Sequence, residues 1–78
     1  MTKKEIFAEL STTLTRERIV EGAIRDNEKP MGFLITYIRD MYGLPKTEGR
    51  SIAEDLLKFF DLYYIPEYYH RRIDPILD

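Results

Sequence analysis

The chain has 78 residues and a formal net charge of −2, with 44% hydrophobic and 33% charged residues. This length allows one domain with a small core, and the composition is that of a globular protein rather than a disordered chain. The near-neutral charge argues against a dedicated non-specific nucleic-acid binder, which would be strongly basic. The absence of cysteine excludes disulfides, thiolate zinc sites and cysteine nucleophiles, and it fits a cytoplasmic location.

The N-terminal segment MTKKEIFAELST contains no continuous apolar region, so we expect no signal peptide. The longest apolar run, residues 31–38, is far shorter than the roughly 20 residues that span a bilayer. We therefore expect no membrane association.

Two segments near the N-terminus are predicted to be helices with polar N-caps. Thr2 and Glu5 have the spacing of a capping box, which predicts a first helix over about residues 3–13. Thr15 is a good N-cap for a second helix over about residues 16–26. The apolar stripe of this second helix contains Ile19, Val20, Ala23 and Ile24.

A third helix is predicted to begin at Pro30, which suits the first helical position, and to stop at Gly43. Its apolar face contains Phe33, Leu34, Tyr37, Ile38 and Met41. The segment 33–38 is short and apolar and contains β-branched residues, so it could also form a buried strand. No second strand is available to pair with it, and a lone strand would leave its backbone groups without partners. We therefore favour the helix.

The segment LPKTEGR, residues 44–50, contains a proline and a glycine and is predicted to be a loop. Ser51 and Glu54 again have the spacing of a capping box. The fourth helix is therefore predicted to begin near Ser51.

The end of the fourth helix is predicted from Pro66, because proline disfavours helical geometry in the residue before it. Leu62 and Ile65 fall on the charged side of this helix, so we expect the following segment or another chain to cover them. Pro66 also suits the start of a short last helix over about residues 66–73.

Residues 56–69 hold six of the ten aromatic residues, so we expect the core to form around them. The predicted fold is all-α: a single helical domain over residues 1–78, arranged as a compact bundle of four main helices plus a short C-terminal helix. The predicted core comprises Phe7, Leu10, Ile19, Ala23, Phe33, Tyr37, Ile38, Ile52, Leu56, Phe60 and Tyr63.

No motif indicates catalysis. His70 is the only histidine, and no nucleophile or carboxylate stands at a diagnostic spacing from it. One histidine without cysteine offers too few donors for zinc, and the four scattered glycines form no phosphate-binding loop. The carboxylates Glu54, Asp55 and Asp61 are expected to form a solvated helix face. We therefore predict a protein without enzymatic activity, with no catalytic residues, no metal site and no cofactor.

The segment YYHRR, residues 68–72, interleaves aromatic and basic side chains. Tyrosine and arginine are common at the energetic centres of protein interfaces, and the same side chains also stack on bases and hold phosphate. A third interpretation is that Tyr69 and Ile73 pack inward and the arginines face water. The predicted partner-binding residues are Leu62, Tyr64, Ile65, Tyr68 and Arg72. In the nucleic-acid alternative, the predicted contacts are Arg71 and Arg72.

Two segments resemble parts of known DNA-binding families. The segment MYGLPKTEGRSIAEDLLKFFD resembles the helical hairpin that opens the HU-type DNA-bending proteins, and LTRERIVEGAI is similar to the start of TetR-type repressor domains. The β-arm sequence that HU-type proteins use on DNA does not occur here. The glycine-bearing turn and recognition helix of the TetR type do not follow either. Each resemblance covers only a short part of the chain, and we assign the chain to neither family.

The predicted function is that of a small protein-interaction module. It would act as a regulator, inhibitor or adaptor by docking an aromatic-rich helical surface on a larger protein. The reason is the surplus of tyrosine, six residues in so small a domain, which suggests rings that lie on a partner with their hydroxyls at the rim. A homodimer through the same surface is an alternative. Two other classes stay open: a dimeric helical DNA-binding transcriptional regulator, and a structural subunit of a larger assembly.

Overall fold

The computed structural model describes residues 1–63, which form four α-helices and no strand. The helices are α1 (Lys3–Thr13), α2 (Arg16–Arg25), α3 (Pro30–Tyr42) and α4 (Lys46–Phe59). The all-α prediction is confirmed for this part of the chain. The short helix predicted over residues 66–73 lies outside the described residues.

Both N-terminal helices begin at the predicted caps. The Thr2 hydroxyl accepts a hydrogen bond from the Glu5 N–H at 3.2 Å, and the Glu5 carboxylate accepts one from the Thr2 N–H at 2.9 Å. The Thr15 hydroxyl accepts from the Arg18 N–H at 3.1 Å. These bonds satisfy N–H groups that have no partner within their own helix. Because each cap acts within one turn of chain, the sequence alone places these helix starts.

Helix α3 begins at Pro30 and ends at Gly43, as predicted. Gly43 has a left-handed φ of +70°, a conformation that glycine adopts without strain. Its N–H donates to the carbonyl oxygen of Arg39 at 2.8 Å. Residues 33–38 lie inside the helix, so the strand alternative is wrong.

Helix α4 begins at Lys46, so the predicted loop over residues 44–50 and the predicted start at Ser51 are wrong. Pro45 is the N-cap, with a φ of −67° and an extended ψ of 162°. The earlier start places Gly49 in the helix interior, where it is buried against α3. Glycine is normally a sign of a loop in a sequence. Gly49 is tolerated inside α4 because the first turn of this helix packs on α3.

Thr15 caps α2, whereas Ser51 lies inside α4 and caps nothing. Replacing each of them by alanine should therefore affect stability differently. Replacing Thr15 by alanine should cost about 1 kcal/mol of stability, because the Arg18 N–H loses its cap. Replacing Ser51 by alanine should be neutral or stabilise by up to about 0.5 kcal/mol, because Ser51 is an exposed residue inside α4. Urea unfolding followed by circular dichroism measures both values. A cost for Ser51→Ala equal to that of Thr15→Ala would restore Ser51 as the helix start.

Helix α4 ends at Phe59, before the proline that was predicted to end it. Asp61 adopts a left-handed φ of +60°, and the Leu62 N–H then donates to the carbonyl oxygen of Leu57 at 2.7 Å. The Asp61 N–H donates to the carbonyl oxygen of Lys58 at 3.2 Å. This bonding pattern is a Schellman motif, in which the chain reverses and its next apolar residue folds back on the helix.

The core is mainly aliphatic, and Phe33 is its single aromatic member within residues 1–63. Its fully buried side chains are Ile6, Leu10, Ile19, Leu34, Ile38, Ile52 and Leu56. Among the predicted core residues, four are only partly buried and pack at its edge: Phe7, Tyr37, Phe60 and Tyr63. Of the predicted aromatic stretch, residues 56–69, the described part contributes leucines to the core, while Phe59 is exposed and Phe60 and Tyr63 lie at the core edge. Helix α4 packs against both α3 and α1, and branched aliphatic side chains fill this interior.

Candidate functional site

Three phenylalanines meet where the N-terminal half of α1 lies beside the last turn of α4. The Phe59 ring contacts Phe7 edge to face, with centroids 5.8 Å apart, and contacts Phe60 in the same way at 5.0 Å. We call Phe7, Phe59 and Phe60 the aromatic cluster. Phe59 is 58% exposed, so a phenyl ring at the end of α4 faces solvent while Phe7 and Phe60 contact it on its sides.

The helix geometry explains why Phe59 is outside. Successive residues of an α-helix point about 100° apart, so Phe59 and Phe60 face different directions, and at this end of α4 Phe60 is partly buried while Phe59 is exposed. The positions one turn earlier, Leu56 and Leu57, are both buried, and they already fill the interior at this level of α4. Sequence reasoning placed Phe59 on the apolar side. The sequence pattern does not distinguish Phe59 from these buried positions, because both members of the adjacent pair Leu56 and Leu57 are buried.

An apolar groove lies between the start of α3 and the end of α4. It has a volume of about 260 Å³ and is lined by Lys29, Pro30, Met31, Leu57, Leu62 and Tyr63. The Lys58 ammonium stands 4.9 Å from the centre of the Tyr63 ring, within the range of a cation–π contact. The groove therefore has an apolar floor and an aromatic rim.

The predicted contact residue Leu62 is in the floor of this groove. Its side chain is only 3% exposed and belongs to the hydrophobic core, so Leu62 offers little surface to a partner here, and its role as a contact residue stays a prediction. The physical reason for this burial is the left-handed turn at Asp61, which folds Leu62 back against Leu57 instead of continuing the helix.

The remaining predicted site residues lie outside the described part of the chain. They are Tyr64, Ile65, Tyr68, Arg71 and Arg72. Their assignment to a protein partner or to nucleic acid therefore stays a prediction.

A hydrogen bond between side chains links α1 to the end of α3. The Tyr42 hydroxyl donates a hydrogen bond to the Glu9 carboxylate. Burial, and next the hydrogen bond to this carboxylate, raise the pKa of Tyr42 to about 12. Both effects favour the neutral phenol, because an ionised tyrosine would be less solvated and would face a negative charge.

This tyrosine predicts a change in stability at alkaline pH. In the unfolded chain the pKa of tyrosine is about 10, which is lower than in the folded protein. The contribution of Tyr42 to folding stability is therefore fully present below about pH 10. The stabilisation is lost as pH rises through about 12. In an alkaline titration of tyrosine absorbance we expect a step near this pH that is missing from Tyr42→Phe. In Glu9→Gln the step should move down only in part, because burial is the larger cause. A step that persists in Tyr42→Phe would contradict the assignment.

The described residues offer little else for chemistry. Within residues 1–63, no group of three or more histidine, aspartate or glutamate side chains is placed to hold a metal ion. None of the four helices is both long enough and apolar enough to cross a membrane. Every buried side-chain polar atom of this part of the chain has a hydrogen-bond partner.

Comparison with protein-family models, with curated protein sequences and with solved structures gives no match to this chain.

Proposed function

We propose that this protein is a small interaction module without enzymatic activity, which acts as a regulator, inhibitor or adaptor by docking on a larger protein. The observation that carries the proposal is the exposure of Phe59 at the centre of the aromatic cluster. A cytoplasmic location stays part of the proposal, on the ground of the cysteine-free sequence.

The aromatic cluster has the properties of a docking anchor. An interface anchor is a large apolar side chain whose rotamer is fixed before binding, because less conformational entropy is then lost on association. The contacts of Phe7 and Phe60 with the Phe59 ring supply that restraint. The cluster therefore supports a partner with an apolar pocket that receives one phenyl ring.

The charges beside the cluster indicate the rim of that pocket. Lys3 and Lys4 lie four and three residues before Phe7 on α1, which places them next to it on the helix surface. On α4, Asp55 precedes Phe59 by four residues. Lys58 and Asp61 flank the pair Phe59 and Phe60. The charges near the cluster are therefore three cations and two carboxylates, a small positive excess that favours an apolar pocket with an acidic rim over one with a basic rim.

The test compares two equally exposed apolar residues. Phe59 is 58% exposed and Met41, at the end of α3, is 59% exposed. We expect tagged wild-type protein to retain a stoichiometric protein from lysate, Phe59→Ser to lose it, and Met41→Ser to keep it. Loss of an interface anchor typically costs about 2 kcal/mol or more, roughly a thirtyfold loss of affinity. The loss of affinity is measured by titrating each variant with the purified partner and comparing the dissociation constants.

Other outcomes would replace the proposal. Retention by both variants would move the interface away from the cluster, and loss by both would indicate non-specific apolar adhesion. A wild-type protein that sediments as a dimer, and a Phe59→Ser variant that sediments as a monomer, would make the cluster a homodimer interface. Among residues 1–63 we find no observation that favours the DNA-binding alternative or the assembly subunit over docking.

A further inference from the structure

A second, chemically different cavity lies between α2 and α3. It has a volume of about 390 Å³, within the range of roughly 300–1,000 Å³ typical of small-molecule sites. We call it the α2–α3 cleft and define it by the charged residues Arg18, Glu21 and Arg25 of α2 and the aromatic residues Phe33 and Tyr37 of α3.

The aromatic wall of the cleft is fixed by packing. Phe33 is buried, and its ring lies against the backbone of α2 at Gly22, where no side chain intervenes. Tyr37 follows one turn later on α3, with its ring centre 6.0 Å from that of Phe33 and the two planes tilted by 40°. Because Phe33 is only 9% exposed, the partly buried Tyr37 ring supplies most of the aromatic surface that this wall presents to the cleft, and the Phe33 ring supports it from behind.

The opposite wall carries a net positive charge. Arg18 and Arg25 are two turns apart on α2, with Glu21 between them. The lining itself has two guanidinium groups and one carboxylate, and Asp26, outside the lining, pairs with Arg25. The positive charge of the cleft is therefore small, and it suits a monoanion better than a dianion.

The cationic groups of the cleft are available for a ligand. The Arg18 guanidinium makes no hydrogen bond or ion pair with any residue of the described chain. Arg25 pairs with Asp26 at 3.3 Å, but its side chain is 73% exposed, and exposed pairs of this kind are weak. Arginine binds carboxylates through two parallel N–H donors and also stacks on flat rings.

We propose that the α2–α3 cleft binds a small molecule that carries one carboxylate on a flat aromatic ring. The carboxylate accepts hydrogen bonds from Arg18 and Arg25, and the ring lies against Phe33 and Tyr37. This site is separate from the aromatic cluster on α1 and α4, so it does not depend on the proposed docking function.

The experiment is a titration of the isotope-labelled full chain, followed by amide chemical shifts, with benzoate as the probe. We expect saturable shifts at the amides of Gly22 and Tyr37. Cyclohexanecarboxylate, which has the same charge and no aromatic ring, should bind about threefold to tenfold more weakly, as expected for the loss of ring contacts. Inorganic phosphate, which has no ring, should bind more weakly still.

Two double variants with the same change of charge separate the cleft from general anion attraction. The variant Arg18→Gln with Arg25→Gln should bind benzoate at least about tenfold more weakly, because both charge-assisted contacts are removed. The variant Arg16→Gln with Arg39→Gln changes two exposed arginines that do not line the cleft, and it should bind like the wild type. All four arginines are exposed, so circular dichroism should show both variants folded.

Several results would overturn the proposal. These are the absence of saturable shifts at the cleft, equal weakening in both double variants, and equal affinity for benzoate and inorganic phosphate. Equal affinity for benzoate and cyclohexanecarboxylate would also overturn it, because the aromatic wall would then play no part.

Discussion

Replacing Leu56 by alanine is expected to destabilise the protein by about 3–4 kcal/mol, the middle of the range measured for buried leucines. The Leu56 side chain is fully buried on α4, the helix that packs against both α1 and α3. Alanine removes its apolar contacts and leaves a cavity that rigid neighbours fill only in part. A chain of this size has a total stability of only about 4–12 kcal/mol, so this single change should remove a large part of it.

Urea unfolding at equilibrium measures this loss, and two controls define it. Leu56→Met conserves most of the volume and should cost less than about 1.5 kcal/mol. Met41→Ala removes an exposed side chain and should change stability by less than about 0.5 kcal/mol. A cost for Leu56→Ala close to that for Met41→Ala would show that α4 does not pack through Leu56.

Replacing glycine by alanine is expected to lower the stability of the protein at Gly22 and to raise it at Gly49, although both glycines lie in helices. A Cβ atom at Gly22 would overlap Cε1 and Cζ of the Phe33 ring and would lie 3.1 Å from its Cδ1. Because Phe33 is a buried ring, its displacement disturbs the contact between α2 and α3. Gly22→Ala should therefore destabilise by about 1–2 kcal/mol, within the range for overpacked cores, although alanine is the better helix former.

Gly49 provides the matched control. A Cβ atom there would lie 3.7 Å from Cγ2 of Ile38, which is an ordinary contact distance. Gly49→Ala should therefore stabilise the protein by about 0.4–1 kcal/mol, through reduced freedom of the unfolded chain. A second control is the double variant Gly22→Ala with Phe33→Leu, in which the smaller side chain makes room, so that the two changes together should cost less than their sum. Stabilisation by Gly22→Ala alone would contradict the close approach of α2 and α3.

None of the three residues of the aromatic cluster was among the predicted contact residues, and four of those five predicted contacts lie outside the described residues. An aromatic-rich end of the fourth helix was expected, and an exposed aromatic cluster does lie there. The particular residues differ, because Leu62 turns inward and Phe59 stays outside. Periodicity along one helix shows which residues share a side, but it does not show how much of that side the neighbouring helices cover.

The sequence by itself determined the helix boundaries that depend on local chemistry. These boundaries are set by residues that act on backbone groups within one helical turn, namely Thr2, Thr15, Pro30 and Gly43. Their effect can therefore be predicted from the adjacent sequence. Only the tertiary structure decided the start of α4, the mainly aliphatic core with its aromatic edge, and the meeting of α2 charges with α3 rings. The physical reason is that these features depend on contacts between segments far apart in the chain, where packing outweighs the local preferences of a glycine or a serine.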